Sequence, residues 1–341
     1  MTRPSGNKRA LISGVTGQDG AYLAEHLLAE GYEVWGLVRG QANGHLPRLR
    51  QEIPEIKVVF GDLLDQGSLV SAVDRVQPDE VYNLGAISFV PISWQQADLT
   101  TEITGVGVLR MLEAIRVVSG IHGSAAAPAG QIRFYQASSS EMFGNAKVTP
   151  QDETTQFHPR SPYGVAKAYG HFITQNYRES YGMHAVSGIL FNHESPRRGE
   201  QFVSRKITLG VARIARGLTD ELRLGNLDSR RDWGFAGDYV RAMHLMLQRE
   251  QPTDYVVGTG ETRTVLDLVT TAFACVGLDW EKYVTVDLDL IRPAEVDVLC
   301  ANSSRARAEL GWTPKVSFTE LVEMMVDADL ASVAAPTPEK R

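Results

Sequence analysis

Cysteine is scarce in this chain, with only Cys275 and Cys300 among 341 residues. Two thiols this far apart give neither a disulfide framework nor a metal-type spacing. No apolar run approaches the ~20 residues of a membrane-spanning helix, and the opening MTRPSGNKRALISG lacks a signal-peptide core. Excess positive charge is missing too. A net charge of −7 and a pI of about 5.7 give no footing for a nucleic-acid partner or a membrane surface. No second histidine stands at ligand spacing from His193, so that residue is expected to be structural and no metal is implied. A soluble protein of the reducing cytoplasm is expected.

The chain is 43% hydrophobic and 22% charged, ordinary for one large or two closely joined globular domains. Arg9–Ser13 reads as a buried strand ending in Gly14-Val15-Thr16-Gly17-Gln18-Asp19-Gly20, followed by helical periodicity from Ala21 to Glu30 and a strand at Glu33–Val38. This βαβ context makes the glycine turn a strong signal. Its backbone can approach a pyrophosphate while the helix offers free amides and a positive dipole end. Arg39 stands where NAD-binding folds often place an acid, and a cation there would attract the 2′-phosphate of NADP.

Alternation then continues. Strands are expected at Lys57–Phe60, Asp79–Leu84, Ile132–Ser138 and Ala185–Leu190, with helices at Ser68–Val76, Leu99–Val118 and Tyr163–Tyr181. The expected fold is α/β, a Rossmann-type doubly wound parallel sheet with a smaller, discontinuous C-terminal substrate domain. The nucleotide-binding domain is placed at residues 1–190, with segments around 235–260 returning to it. Residues 191–234 and 261–330 are assigned to the substrate domain, and 331–341 to a disordered tail. Gly14, Asp62, Ser88 and Ser139 fall at the carboxyl ends of strands, where functional groups belong. Arg197-Arg198 and Arg230-Arg231 could each hold a small anion.

Ser161-Pro162-Tyr163-Gly164-Val165-Ala166-Lys167 opens a helix, with Ser161 as cap and Pro162 at the first position. Tyr163 and Lys167 then share one face. An ammonium near the phenol is expected to lower its pKa from ~10, which would suit a general acid/base. Together with the glycine turn and Ser138-Ser139-Ser140-Glu141, this stretch resembles the extended short-chain dehydrogenase/reductase superfamily.

Within that superfamily, NHESPRRGEQFVSRKIT, GNLDSRRDWGFAGDYV, SPYGVAKAYGHFITQNYRESYG, QASSSEMFG and RPAEVDVL closely resemble the GDP-mannose 4,6-dehydratase family. The resemblance runs from Gly14 to about Met325. It implies Ser139, Glu141, Tyr163 and Lys167 as the catalytic set, in an internal redox cycle that carries hydride from C4 to C6 of the sugar with loss of water. It implies NADP held by Gly14, Thr16, Gly17, Gln18, Asp19, Gly20, Arg39, Asp62, Leu63 and Leu84, with Tyr163 and Lys167. A GDP-sugar would be held by Ser88, Asn192, Glu194, Lys206, Arg231, Arg292 and Glu295. A homo-oligomer, dimer or tetramer, is also implied. Ser139 stands where the family usually has Thr and supplies the same hydroxyl. Three departures stand out. Arg39-Gly40-Gln41-Ala42 replaces an Arg-Arg-Ser-Ser loop tied to cofactor and tetramer contacts, Ile87 replaces a polar residue, and the loop Ser119–Gly130 is longer than usual. An epimerase or 4-keto reductase of the same superfamily would use the same Tyr and Lys, and a GDP-heptose is an alternative substrate.

Overall fold

The computed structural model describes residues 6–40, 44–122, 131–290, 296 and 298–333. Its first half follows the alternation of the sequence. Strands β1 (Arg9–Ser13), β2 (Glu33–Val38), β3 (Lys57–Phe60), β4 (Glu80–Asn83), β5 (Arg133–Ser139) and β6 (Ala185–Leu190) come in order. Between them lie α1 (Gln18–Ala29), α2 (Leu46–Glu52), α3 (Gln66–Val76), α4 (Val90–Gln95), α5 (Ala97–Thr100), α6 (Gly107–Val118) and α7 (Pro162–Tyr181). The second half contains β7 (Asn192–Glu194), α8 (Val203–Ala215), β8 (Leu222–Leu224), β9 (Arg230–Arg231), β10 (Trp233–Phe235), α9 (Ala236–Gln248) and β11 (Tyr255–Val257). It closes with β12 (Arg263–Thr264), α10 (Val265–Ala274), β13 (Val284–Val286), α11 (Ser304–Leu310) and α12 (Phe318–Ser332).

The main sheet has seven strands in the order β11-β6-β5-β4-β1-β2-β3, and every pairing is parallel. Both faces are covered, as a parallel sheet requires. On one face α1 and α9 bury Leu23, Leu27, Met243 and Met246; on the other α3, α6 and α7 bury Leu69, Val73, Met111, Ile115 and Tyr177. Each Leu or Met buried this way contributes about 1.5–3 kcal/mol. A separate apolar cluster joins α8, α10 and α12 through Ile207, Val211, Leu268, Phe273, Val322 and Met325, with Trp233 at its edge.

β1 is flanked by β4 on one side and β2 on the other, so the chain reverses its winding there and opens a crevice beyond the strand ends. Gly14 (φ +70°) lies at that point, and a Cβ on it would come within 2.8 Å of the Gly85 amide nitrogen. Only glycine fits both the backbone angle and the approach.

Three details differ from the sequence expectations. The helix expected over Leu99–Val118 is interrupted by a π-helical segment at Thr101–Val106. Gly105 within that segment and Gly107 just after it pack against Ala166 and Leu63, where a Cβ would be only 3.3 and 3.0 Å from its neighbours, so tight packing accompanies the change of pitch. Helix α2 carried no expectation; Leu46 and Leu49 bury its inner face. Helix α12 continues through Ser332, past the expected start of the tail, because Leu330 still packs on the α8–α10–α12 cluster. The rest of the expected tail, 334–341, and most of the Ser119–Gly130 loop lie outside the described residues. Among the described residues no helix is long and apolar enough to cross a membrane.

Candidate active site

The crevice is a cleft of about 1160 Å³ running from the glycine turn to the loops of the second half. That exceeds the ~300–1,000 Å³ of a pocket for one small ligand. Gly14, Thr16, Gly17, Gln18, Asp19 and Gly20 form its floor at the start of α1, and Arg39, Asp62, Leu63 and Leu84 line the adjoining end. A Cβ on Gly20 would sit 2.4 Å from the Gly14 carbonyl oxygen, so the turn closes on itself and leaves its amides at the head of the helix. Bare backbone, a helix N-terminus and a neighbouring cation suit the pyrophosphate and ribose of a dinucleotide. The chain fits such a group.

Ser139, Glu141, Tyr163 and Lys167 all line the same cleft. Ser139 ends β5, and its Oγ accepts from the Glu141 amide at 3.2 Å. Ser161 caps α7 as expected, its Oγ accepting from the Gly164 amide at 3.0 Å. A Cβ on Gly164 would lie 2.8 Å from the Glu141 carbonyl oxygen, so that glycine lets α7 press Tyr163 against the Ser139–Glu141 turn. Behind the set runs a buried polar chain. Ser13 donates to Asn83 at 2.6 Å, and Asn83 to Gln136 at 2.8 Å. Gln136 and Lys167 both donate to the Ala137 carbonyl oxygen, at 2.9 and 2.6 Å.

The expected lowering of the Tyr163 pKa is not found in the protein alone. Burial pushes the phenol up to about 12, against a smaller downward pull from a hydrogen bond with Ser139 and from Arg198. Burial also brings Lys167 down to about 8. The sequence argument placed the two side chains together but left out the desolvation of both. The Lys167 ammonium, 5.7 Å from the centre of the Tyr163 ring, donates to Ala137.

The two arginine pairs divide their duties. Arg197 makes a fork with Glu25 at 2.7 and 2.8 Å and covers the Tyr22 ring, so it is structural. Arg198 lines the cleft, stacked 3.6 Å over the Phe202 ring and paired with Glu194 at 3.0 Å. Arg230 reaches Thr262 near the surface, whereas Arg231 is buried in the cleft wall and donates to the Val296 carbonyl oxygen at 2.7 Å. Spacing could not separate the members of either pair. Arg197 and Arg231 are fixed by residues distant in sequence, Glu25 and Val296, whereas Arg198 meets Glu194 and Phe202 four positions to either side.

Among the expected substrate residues, Ser88, Asn192, Glu194 and Arg231 line the cleft. Glu194 does so with a buried carboxylate that accepts from Ser204 and pairs with Arg198. Lys206 is not in the cleft wall; it lies on α8 in the field of Asp287 and Arg223. Arg292 and Glu295 fall outside the described residues. The sequence reading passed over Phe89 and Phe202, whose rings meet edge to face at 5.5 Å across the cleft. An aromatic in each loop was the only available signal. His193 is occupied on both ring nitrogens, by the Phe191 carbonyl oxygen at 2.7 Å and Asp19 at 2.8 Å.

The family described as GDP-mannose 4,6 dehydratase matches residues 11–325. The chain belongs to this family. The GDP-mannose 4,6 dehydratase 1 of Arabidopsis thaliana is 51% identical over 331 residues, covering 95% of this chain and 90% of the relative. The human GDP-mannose 4,6 dehydratase is 46% identical, covering 94% and 91%. Among solved structures, the Thermus thermophilus UDP-glucose 4-epimerase in complex with NAD superposes with a TM-score of 0.81 at 26% identity, over 95% of this chain and all of that one. The match runs through every segment that contributes to the cleft.

Proposed function

We propose that this chain converts GDP-mannose to GDP-4-keto-6-deoxy-mannose, as a hydro-lyase of the GDP-mannose 4,6-dehydratase family using bound NADP. The observation that carries the reading is the presence of Glu141 in one cleft with Ser139, Tyr163, Lys167 and the glycine turn. A simple epimerase has no need of a carboxylate at that position.

The chain's own groups have distinct tasks. Gly14–Gly20, Arg39, Asp62 and Leu63 hold the dinucleotide, with Arg39 favouring the 2′-phosphate. The bound nicotinamide supplies the hydride acceptor at C4 and the hydride donor at C6. Tyr163 exchanges the proton of the C4 oxygen, with Ser139 hydrogen-bonded beside it. The phenol keeps its proton in the protein alone, and Ser139 and Arg198 act in the direction that releases it. Once C4 is a ketone, C5 is acidic, and Glu141 takes that proton and returns one to the hydroxyl leaving C6. Arg231 and Asn192 grip the nucleotide end, and we assign Arg292 and Glu295 to the same grip; Lys206, outside the cleft wall, is left out of it. Exposed Val165, Tyr169 and Phe172 on α7, with Trp94 nearby, suit a homo-oligomer contact.

The test is incubation of GDP-mannose, UDP-glucose and dTDP-glucose with enzyme, following the NADPH absorbance band and identifying products by NMR. Only GDP-mannose should give the 4-keto-6-deoxy sugar, with no net NADPH. Stoichiometric NADPH, or an epimerised product retaining its C6 hydroxyl, overturns the proposal.

A further inference from the structure

His193 stands where both ring nitrogens face groups that can only accept a hydrogen bond. Nδ1 lies 2.7 Å from the Phe191 carbonyl oxygen, and Nε2 lies 2.8 Å from an Asp19 carboxylate oxygen. A neutral imidazole has one N–H and satisfies one such partner; the imidazolium has two and satisfies both. Its ring is stacked on Tyr239 at 4.7 Å, and that tyrosine is fully buried. Asp19 belongs to the glycine turn and His193 to the polar loop of the second half, 174 positions away. Gln18 reinforces the same junction. Its amide nitrogen donates to Asp19 at 2.9 Å and to the His193 carbonyl oxygen at 3.0 Å, and its oxygen accepts from Ser195 at 2.7 Å.

We infer that His193 is held as an imidazolium and that its ion pair with Asp19 is a positioning element, fastening the nucleotide-binding turn to the loop that carries Asn192 and Arg198. The inference deepens the reading above, since both residues line the proposed site, but it concerns the state of the chain and not the identity of the sugar.

The surrounding charges are consistent with this. Burial opposes a charge on His193, but Asp19 outweighs it, and the histidine pKa is raised, with Arg198 working the other way. Burial likewise opposes the Asp19 carboxylate, and His193 brings it down to about 2. From α7, Lys167 and Tyr163 feel the Asp19 charge, as does Tyr135 from β5; Glu194, next in the loop, faces Tyr239 and pairs with Arg198. A histidine whose folded pKa is raised contributes its full stabilisation below the unfolded value and loses it as pH rises through the folded value. The fastening therefore weakens on the alkaline side.

The experiment uses full-length protein labelled with ¹⁵N-histidine, free and with NADP added, His193 being assigned by His193→Gln. At about pH 7.5, a unit above the ordinary histidine pKa of ~6.5, both His193 ring nitrogens should carry protons. A neutral tautomer overturns the inference. Protection factors of the Gly17 and Ala21 amides, which bond to the Gly14 and Gly17 carbonyl oxygens, should fall at the pH where His193 titrates once intrinsic exchange is divided out, and should be low at every pH in His193→Gln. Protection factors that stay flat through that midpoint also overturn it. If His193→Gln does not fold, Asp19→Asn, which moves the same resonance's titration to lower pH, serves for the assignment. Turnover of GDP-mannose by the wild type is measured separately, so failure of the substrate reading leaves this result standing.

Discussion

The ammonium of Lys167 donates to the carbonyl oxygen of Ala137 at 2.6 Å, which ties α7 to the end of β5. The lysine is only 4% exposed, and burial brings its pKa to about 8. If its charge is needed for turnover, kcat/KM should fall as pH rises above about 8, and Lys167→Met should be inactive at every pH. The stability effect has the opposite sense. The unfolded chain keeps the lysine proton up to ~10.4 and so binds more protons than the folded chain between those values. The contribution of Lys167 to stability then rises with pH across that window. Urea unfolding of wild type and Lys167→Met through the window checks this, and equal pH slopes would refute it.

Glu141→Gln keeps the shape of the side chain and removes the carboxylate proposed as the base. Folding and NADP binding should survive while turnover drops by roughly 10²–10⁴-fold. Product formed in heavy water decides the role. Normal deuterium uptake at C5 at near-normal rate would assign the C5 step to another group.

Arg39 lines the end of the cleft proposed to hold the dinucleotide. Arg39→Asp should weaken NADP binding and leave NAD binding equal or tighter, reversing the preference. Dissociation constants for both nucleotides, measured by fluorescence titration, provide the check. An unchanged ratio would separate Arg39 from cofactor choice.

Asp329 on α12 is fully buried, accepting from Arg205 at 2.7 Å and Thr208 at 2.7 Å. Its carboxylate ties α12 to α8 within the α8–α10–α12 cluster. Asp329→Ala leaves the Arg205 charge, itself largely buried, without this partner, and should cost about 3–5 kcal/mol. Paired removal, Arg205→Met with Asp329→Leu, should recover much of that loss. Denaturant midpoints for the single and double variants distinguish the two outcomes.

Local chemistry made much of the fold legible. Strands β1, β2 and β6 occupy the residues that their short apolar runs mark out, because a strand buried on both faces needs continuous hydrophobicity. Gly14-x-x-Gly17-x-x-Gly20 announced the turn, since the positive φ at Gly14 favours glycine and both Gly14 and Gly20 lack room for a Cβ. Ser161 and Pro162 announced the start of α7 through the amides they cap or omit. What remained hidden depended mostly on residues far apart in the chain. Arg197 and Arg198 are neighbours with the same side chain, yet one meets Glu25 from a distant helix while the other stays with Glu194 and Phe202, four positions to either side. The helical spacing of Tyr163 and Lys167 put them on one face, but the water removed from around them set the direction of both pKa shifts. The charge on His193 follows from an aspartate 174 positions away. Periodicity and caps are local and can be read along the chain; desolvation and pairing depend on what the folded sheet brings alongside, and only the tertiary structure decides that.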